Sequence, residues 1–329
     1  FVTPTEGVHY CGYPIAELAA FAPEDIIYLL FNKELPTPEQ SKQIRSELAA
    51  RATIPGDVES VLKTLPRDGH PMDWLSVGIH TLGMLETTND WRADAMNLIA
   101  RMPRLMGLIF RIRDGRAEEI PADEPQASLV DRFVNALDLK GVDKEKMTRV
   151  ISTYLVLHMD HGGGNLSTFS GKAIASGHAT LYSSMAGAMN ALSGPLHGRA
   201  NQSCLEFVLR VGTSDPAEVE RFVRAELDAK RPVFGFGHAV LRTEDPRATV
   251  QFALGEEICP EDENFKIITA LREVAPRVLG ENPKISNPNA NVDIASGALL
   301  HHIGLTDPTY YTTFFGWARV AGIGAQIVD

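Results

Sequence analysis

The chain reads as an all-α protein. Three observations carry that expectation. Apolar residues recur at helical spacing along most of the 329 residues, strand-like alternation is weak, and proline and glycine fall between the periodic segments. Hydrophobic residues make up 44% and charged residues 22%, an ordinary globular composition with enough chain for one large domain or two.

Taken in order, helical periodicity marks 15–31, 38–52, 72–83, 91–112 and 127–137. In "MTRVISTYLVLH", Met147, Val150, Ile151, Tyr154 and Leu155 fall at i, i+3, i+4, i+7 and i+8, one face of a helix. Similar segments follow at 179–192, 202–211, 216–229, 246–257, 264–278 and 309–328. "EDPR" opens the one at 246, with Asp245 as N-cap and Pro246 in the first helical position. Asp293 begins a further apolar helix holding Ala295, Ala298, Leu299 and Leu300. "RPVFGFGHAVL" has room for a short strand, but its glycines favour a loop. Boundaries are marked by "TPTEG", "EIPADEPQ" (119–126), "SGPLHG" (193–198) and "GENPKISNPNAN" (280–291). The last two enclose what reads as a smaller helical subdomain inserted into a larger one, with a cleft expected between them.

A net charge of −11 argues against general nucleic-acid affinity, so an anionic ligand has to be held by local arginines. Cys11, Cys204 and Cys259 share no metal-like spacing, and their odd number suggests a reducing compartment. No apolar run approaches the roughly 18–20 residues of a membrane span. The opening "FVTPTEGVHYCGYP" has no signal-peptide core; it also lacks an initiator Met, so a leader is expected to be missing from it.

Four polar clusters lie at helix ends or in loops. In "HMDHGGGN", His158 continues the apolar stripe and reads as a core histidine, while His161, beside three glycines, is the better candidate to face a ligand. A metal site would need further ligands at a known spacing, and none is expected. In "GPLHGRANQ", His197 precedes a helix starting near Ala200, whose N-terminal dipoles would favour a neutral imidazole able to donate to developing negative charge; a plain turn histidine is the alternative. "GFGHAVLRTEDPR" places His238 among glycines with Arg242 and Arg247 close behind. Asp293, in "NVDIASG", is by itself compatible with an idle helix-start aspartate. Finally, Arg319 is the single charge of "YYTTFFGWARVAGIGAQIV", on one face with Tyr311 and Phe315, and calls for an anionic partner from protein or ligand.

In this order, and followed by "FFGWAR", these motifs resemble the motif series of citrate synthase, most closely the group that includes the mitochondrial enzymes. The resemblance covers nearly the whole chain. It implies an almost wholly helical homodimer, each subunit with a large domain (1–198 and 305–329) and a small one (199–304) that closes over the substrates. It implies condensation of acetyl-CoA with oxaloacetate, then hydrolysis of citryl-CoA to citrate and CoA, the tricarboxylic acid cycle step.

By resemblance Asp293 is the base, His197 the donor to the enolate oxygen, and His238 polarises the oxaloacetate carbonyl. His161, Asn165, Arg247, Phe315 and Arg319 would form the oxaloacetate pocket. Val233, Gly235, Phe236, Arg242 and Lys284 would receive CoA, which enters as a co-substrate, with no tightly bound cofactor or metal. The compartment implied is a bacterial cytoplasm, or the mitochondrial matrix of a eukaryote.

The chain departs from the family pattern in two places. Gly162 stands where related enzymes often have Glu, and a basic tail that supplies an arginine to the partner's site is expected beyond Asp329. A 2-methylcitrate synthase acting on propionyl-CoA would use the same residues, since one methylene is worth only roughly 1–3 kcal/mol of discrimination. Further alternatives are a silent binder of CoA or acidic metabolites and a metal-dependent hydrolase using His158, Asp160 and His161.

Overall fold

The computed structural model describes residues 1–117, 121, 124 and 126–329, so most of the "EIPADEPQ" boundary lies outside the described residues. The chain opens on a short antiparallel meander, β1 (Val2–Thr3), β2 (Gly7–Tyr10) and β3 (Tyr13–Pro14), in register Val2 with Val8 and Tyr10 with Tyr13. Sequence periodicity did not mark it. Its hairpin turn is Cys11–Gly12, both at positive φ, which suits the right-handed strand twist.

Helices then take over: α1 (Ile15–Leu18), α2 (Pro23–Asn32), α3 (Pro38–Ala50), α4 (Gly56–Leu62), α5 (Pro71–Glu86) and α6 (Trp91–Arg113). The expected helix 15–31 is two, because Ala22, which precedes a proline, is extended and Pro23 can only start a helix. Next come α7 (Leu129–Leu137), α8 (Lys144–His158), α9 (Leu166–Ala175), α10 (Leu181–Leu192), α11 (Ala200–Val211) and α12 (Pro216–Asp228). The series ends with α13 (Pro246–Ile258), α14 (Glu263–Gly280), α15 (Asp293–His302) and α16 (Tyr311–Val328). Two of these, α4 and α9, have no counterpart among the segments marked by periodicity. The α8 stripe is buried at all five positions anticipated, from Met147 to Leu155.

The chain forms two compact units. One joins Phe1–Ala20 to Arg199–Tyr311, the other Phe21–Gly198 to Thr312–Asp329. The first twenty residues thus belong with the smaller unit, whereas the sequence reading kept 1–198 together and ended the small domain at 304. Long-range contacts explain the difference: the Arg242 amide donates to the Pro4 carbonyl at 2.8 Å, and Gly7 leaves no room for a Cβ beside Pro246.

Within the larger unit α5, α6, α9 and α10 pack on one another, and Phe110, Phe133, Phe314 and Trp317 form an edge-to-face aromatic cluster. Here α16 crosses the end of α8 at Gly322, where a Cβ would lie 2.2 Å from the Met159 carbonyl oxygen. In the smaller unit α15 packs on α11, α13 and α14. Each unit therefore holds a different set of the polar residues singled out above.

Candidate active site

In the larger unit the site is built where α8 ends, α9 begins and α16 passes. His158, at the end of α8, is fully buried; its Nδ1 meets the Tyr154 carbonyl at 2.8 Å and its ring stacks on Tyr154. It is a core histidine, as its place in the stripe suggested. Asp160, next along, accepts from Gln326 on α16 at 2.6 Å. Among the described residues no three His, Cys, Asp or Glu side chains lie together in a way that could hold a metal. His161 is partly buried in the following loop.

Asn165 is the N-cap of α9, and its Oδ1 accepts from the Thr168 amide at 3.2 Å. The same oxygen accepts from Arg319 Nη1 at 3.2 Å, while Arg319 Nε donates to the His158 carbonyl at 3.0 Å. Arg319 is 1% exposed, and its guanidinium lies over the Phe315 ring at 4.7 Å. Phe315 meets His158 and His197 edge-on, at 5.2 and 6.3 Å between centroids. A main-chain carbonyl, an amide and an aromatic face thus orient the arginine that the sequence reading gave to an anion.

His197 Nε2 faces the first turn of α9. The Ser167 amide donates to it at 3.3 Å, and the Ser167 hydroxyl lies 2.9 Å away. A backbone N–H cannot be turned aside, so Nε2 is the acceptor and the hydrogen-bond network assigns the proton of the neutral ring to Nδ1. The Ser167 hydroxyl donates its own proton to Asn165 Oδ1 at 2.8 Å, so the backbone amide is the donor that fixes Nε2. Burial, reinforced by the positive charge of Arg319, lowers the His197 pKa to about 4. The neutral imidazole was anticipated. The helix whose terminus it meets is α9, which carries no clear apolar stripe; its N-terminal "NLST" is a capping signal that could have revealed it.

The smaller unit holds the second set. Gly235 and Gly237 both adopt φ of +84°, and a Cβ on Gly235 would come within 2.9 Å of Ile294 Cβ. That close approach lets residues 235–237 braid with 289–291: the Asn291 amide donates to the Gly235 carbonyl, and the Gly237 amide to that of Asn289, each at 2.9 Å. In place of a strand there is a loop with one isolated bridge, Phe236 to Ala290. His238 leaves this loop with Nδ1 accepting from the amides of Val240 and Leu241, both at 3.0 Å. Its neutral proton is therefore on Nε2. Burial, then the positive charges of Arg247 and Arg242, hold its pKa below the usual imidazole value, with Asp245 opposing.

Asp245 is the N-cap of α13, as its sequence predicts, and it also fixes Arg247 two residues on. Its carboxylate accepts from Arg247 Nε at 3.0 Å and Nη2 at 2.7 Å, in a pair almost wholly buried. Asp293 stands at the first position of α15, its amide donating to Asn291 Oδ1 at 3.0 Å. Burial raises its pKa to about 6, against the opposing charge of Arg247. Asn201 on α11 donates to its Oδ1 at 3.4 Å, a contact that no sequence pattern marked.

Among the residues given to CoA, Val233 and Phe236 are partly buried and Lys284 is exposed. Arg242 folds back on its own loop, Nη1 donating to the carbonyls of Val240 and Leu241 at 2.9 Å.

By its similarities the chain is an enzyme of the acyltransferase class. It belongs to the citrate synthase family. The model of "Citrate synthase, C-terminal domain" matches residues 2–329. The chain is 34% identical over 356 residues to the mitochondrial citrate synthase of Saccharomyces cerevisiae, covering 99% of this chain and 73% of that one. It is also 34% identical over 357 residues to a mitochondrial 2-methylcitrate synthase of Yarrowia lipolytica, covering 99% and 76%. Its fold is similar to that of citrate synthase from Thermotoga maritima, with a TM-score of 0.87 at 28% identity, over 100% of this chain and 87% of the other. Citrate synthase of Thermoplasma acidophilum, in ternary complex with carboxymethyl coenzyme A and oxaloacetate, gives 0.88 at 27% identity over the same shares.

Proposed function

We propose that this enzyme condenses acetyl-CoA with oxaloacetate and hydrolyses the citryl-CoA formed to citrate and CoA. The observation that carries the reading is the pairing of fixed proton positions with a poised base. A thioester methyl is a very weak acid, so its proton can be taken only if the enolate oxygen is stabilised as it forms. Asp293 is the base. His197 donates Nδ1–H to that oxygen, and its depressed pKa keeps it a neutral donor throughout the working range. His238 donates Nε2–H to the ketone oxygen of oxaloacetate, raising its electrophilicity. Arg247 and Arg319, with His161, Asn165 and Phe315 beside them, bind the two carboxylates of that substrate. The loop of Val233, Gly235 and Phe236, with Arg242 and Lys284, receives CoA. Domain closure, with the smaller unit of 1–20 and 199–311 as the moving domain, belongs to the same proposal.

The equal identity to a 2-methylcitrate synthase supports a second reading, in which propionyl-CoA is the acyl donor. Release of CoA thiol from each donor, with and without oxaloacetate, separates the two. Oxaloacetate-dependent release preferring acetyl-CoA and lost in Asp293→Ala is expected; a propionyl preference moves the assignment to 2-methylcitrate. Absence of release with either donor leaves a binder of CoA or acidic metabolites.

A homodimer is also proposed. Leu166, Phe169 and Ile174 stand exposed on α9, Phe169 at 63%, and Met84 and Leu85 at the end of α5, apolar side chains that a second copy would cover. Light scattering on the purified chain tests this. The expected compartment is a bacterial cytoplasm or a mitochondrial matrix; among the described residues no helix is long and apolar enough to cross a membrane.

A further inference from the structure

The buried amide of Asn201 is placed as no structural role demands. It lies in the first turn of α11, is 0% exposed, and among the described residues its one side-chain hydrogen bond goes from Nδ2 to Asp293 Oδ1, at 3.4 Å. Its carbonyl oxygen Oδ1 is buried with no hydrogen-bond partner among the described residues. A fully buried amide oxygen left unsatisfied is rare in folded proteins and calls for a reason. An apolar side chain of similar size would fill the place without that cost. The reason lies in what Asn201 faces, since a primary amide carries two donors at one end and an acceptor at the other, with nearly the same shape.

We propose that Asn201 is a positioning residue that follows the proton on Asp293. With Asp293 ionised, the Asn201 N–H donates to the carboxylate and fixes the oxygen that faces it. When the acyl methyl C–H bond breaks, its electron pair passes to the thioester enolate and its proton to the Asp293 carboxylate. The acid so formed needs an acceptor. Half a turn of the Asn201 amide about its last side-chain bond exchanges the N–H for Oδ1, which accepts the new O–H. The unpartnered oxygen is thus held in reserve for the protonated base, and one side chain serves both charge states.

The other groups around Asp293 cannot do this. Arg247 and Asp245, on α13, act on it only through fixed charges. Cys204, one turn along α11 from Asn201, is a buried thiol that burial and the Asp293 charge keep protonated. The remaining contact, Asn291 Oδ1, accepts from the Asp293 backbone amide and not from its carboxyl. Like the rise caused by burial, the charges of Arg247 and Asp245 would persist in an Asn201 variant.

This inference rests on Asp293 being the base, so its test includes a readout that does not depend on the reaction. Asn201→Leu removes donor and acceptor together; Asn201→Ser keeps a hydroxyl that can serve as either. The Asp293 carboxyl is followed by carbon-13 NMR, and oxaloacetate-dependent CoA release is measured across pH with ordinary and methyl-deuterated acetyl-CoA.

In Asn201→Leu, kcat is expected to fall about 10- to 100-fold with KM for oxaloacetate within about twofold, a larger deuterium effect, and an acid limb displaced upward. The Asp293 resonance should titrate higher by about half a unit or more, and Asn201→Ser should recover most of each change. A folded Leu variant with the wild-type titration and kcat overturns the proposal. So does a loss that Ser fails to restore and that leaves the acid limb and isotope effect unmoved, because that is packing. If Asp293→Ala keeps full activity while the Asn201 variants still shift the Asp293 titration, the assignment of the base has failed and the Asn201–Asp293 coupling stands.

Discussion

His197 and His238 are both kept neutral by burial and by a nearby arginine, yet they hold their protons on opposite nitrogens. In the larger unit the Ser167 amide, at the start of α9, takes the lone pair of Nε2 and leaves Nδ1–H to donate. In the smaller unit two amides of the histidine's own loop take the lone pair of Nδ1 and leave Nε2–H. The arginines differ in the same way. Arg247 is clamped by a buried carboxylate two residues away, whereas the contacts of Arg319 include a carbonyl, an amide and a ring. The local sequence supplies the partners in the smaller unit, "HAVL" and "DPR". In the larger one helices distant in sequence supply the carbonyl and the amides, and the Phe315 ring comes from the arginine's own helix.

The largest effect should come from breaking the clamped arginine. Asp245→Ala leaves Arg247 buried without its carboxylate and is expected to lower stability by about 3–5 kcal/mol, while Asn165→Ala costs about 1–2 kcal/mol in a helix cap and one contact to Arg319. Chemical denaturation of the two variants compares them, and equal losses would mean that the two arginines are held alike.

Amide replacements sharpen the contrast between the histidines. An asparagine amide nitrogen falls near imidazole Nδ1 and a glutamine one near Nε2. His197→Asn should therefore retain more activity than His197→Gln, and His238→Gln more than His238→Asn, each pair differing by about tenfold within an overall loss of 10²–10³. The same preference at both positions would contradict the opposite proton positions.

Stability against pH separates His197 from Asp293. The folded pKa of His197 is depressed to about 4, so its contribution is present above the unfolded imidazole value and is lost as pH falls through 4. The pKa of Asp293 is raised to about 6, so its ionisation costs stability as pH rises through 6. Asp293→Asn should accordingly gain about 3 kcal/mol over the parent at pH 7 and nothing at pH 3.5, read from thermal melts at the two values. The smallest effect is expected from Ser167→Ala, which removes the hydroxyl beside His197 Nε2 but keeps the amide. A severalfold loss in kcat should result, and a hundredfold loss would make the hydroxyl, not the backbone, the group that fixes the ring.

Much of this was legible in the sequence. The stripe of α8, the cap and proline that open α13, and the start of α15 at Asp293 follow from local rules of spacing and capping, and the family follows from ordered motifs. The meander at residues 2–14 was not legible, because its strands are too short to show alternation and its packing partners lie beyond residue 240 in the chain. The break before Pro23 was written in the sequence but is masked by apolar periodicity that runs through it.

The sequence by itself determined which chemical groups this protein possesses and which helices present them, since helix period, caps and turn residues act within a few positions of one another. Only the tertiary structure decided how those groups are charged and on which atoms their protons sit. Burial, the Ser167 amide facing His197 and the Asn201 amide facing Asp293 are set by segments 30 to 92 residues apart in the chain. A proton's position depends on distances through space, and spacing along the chain does not encode them.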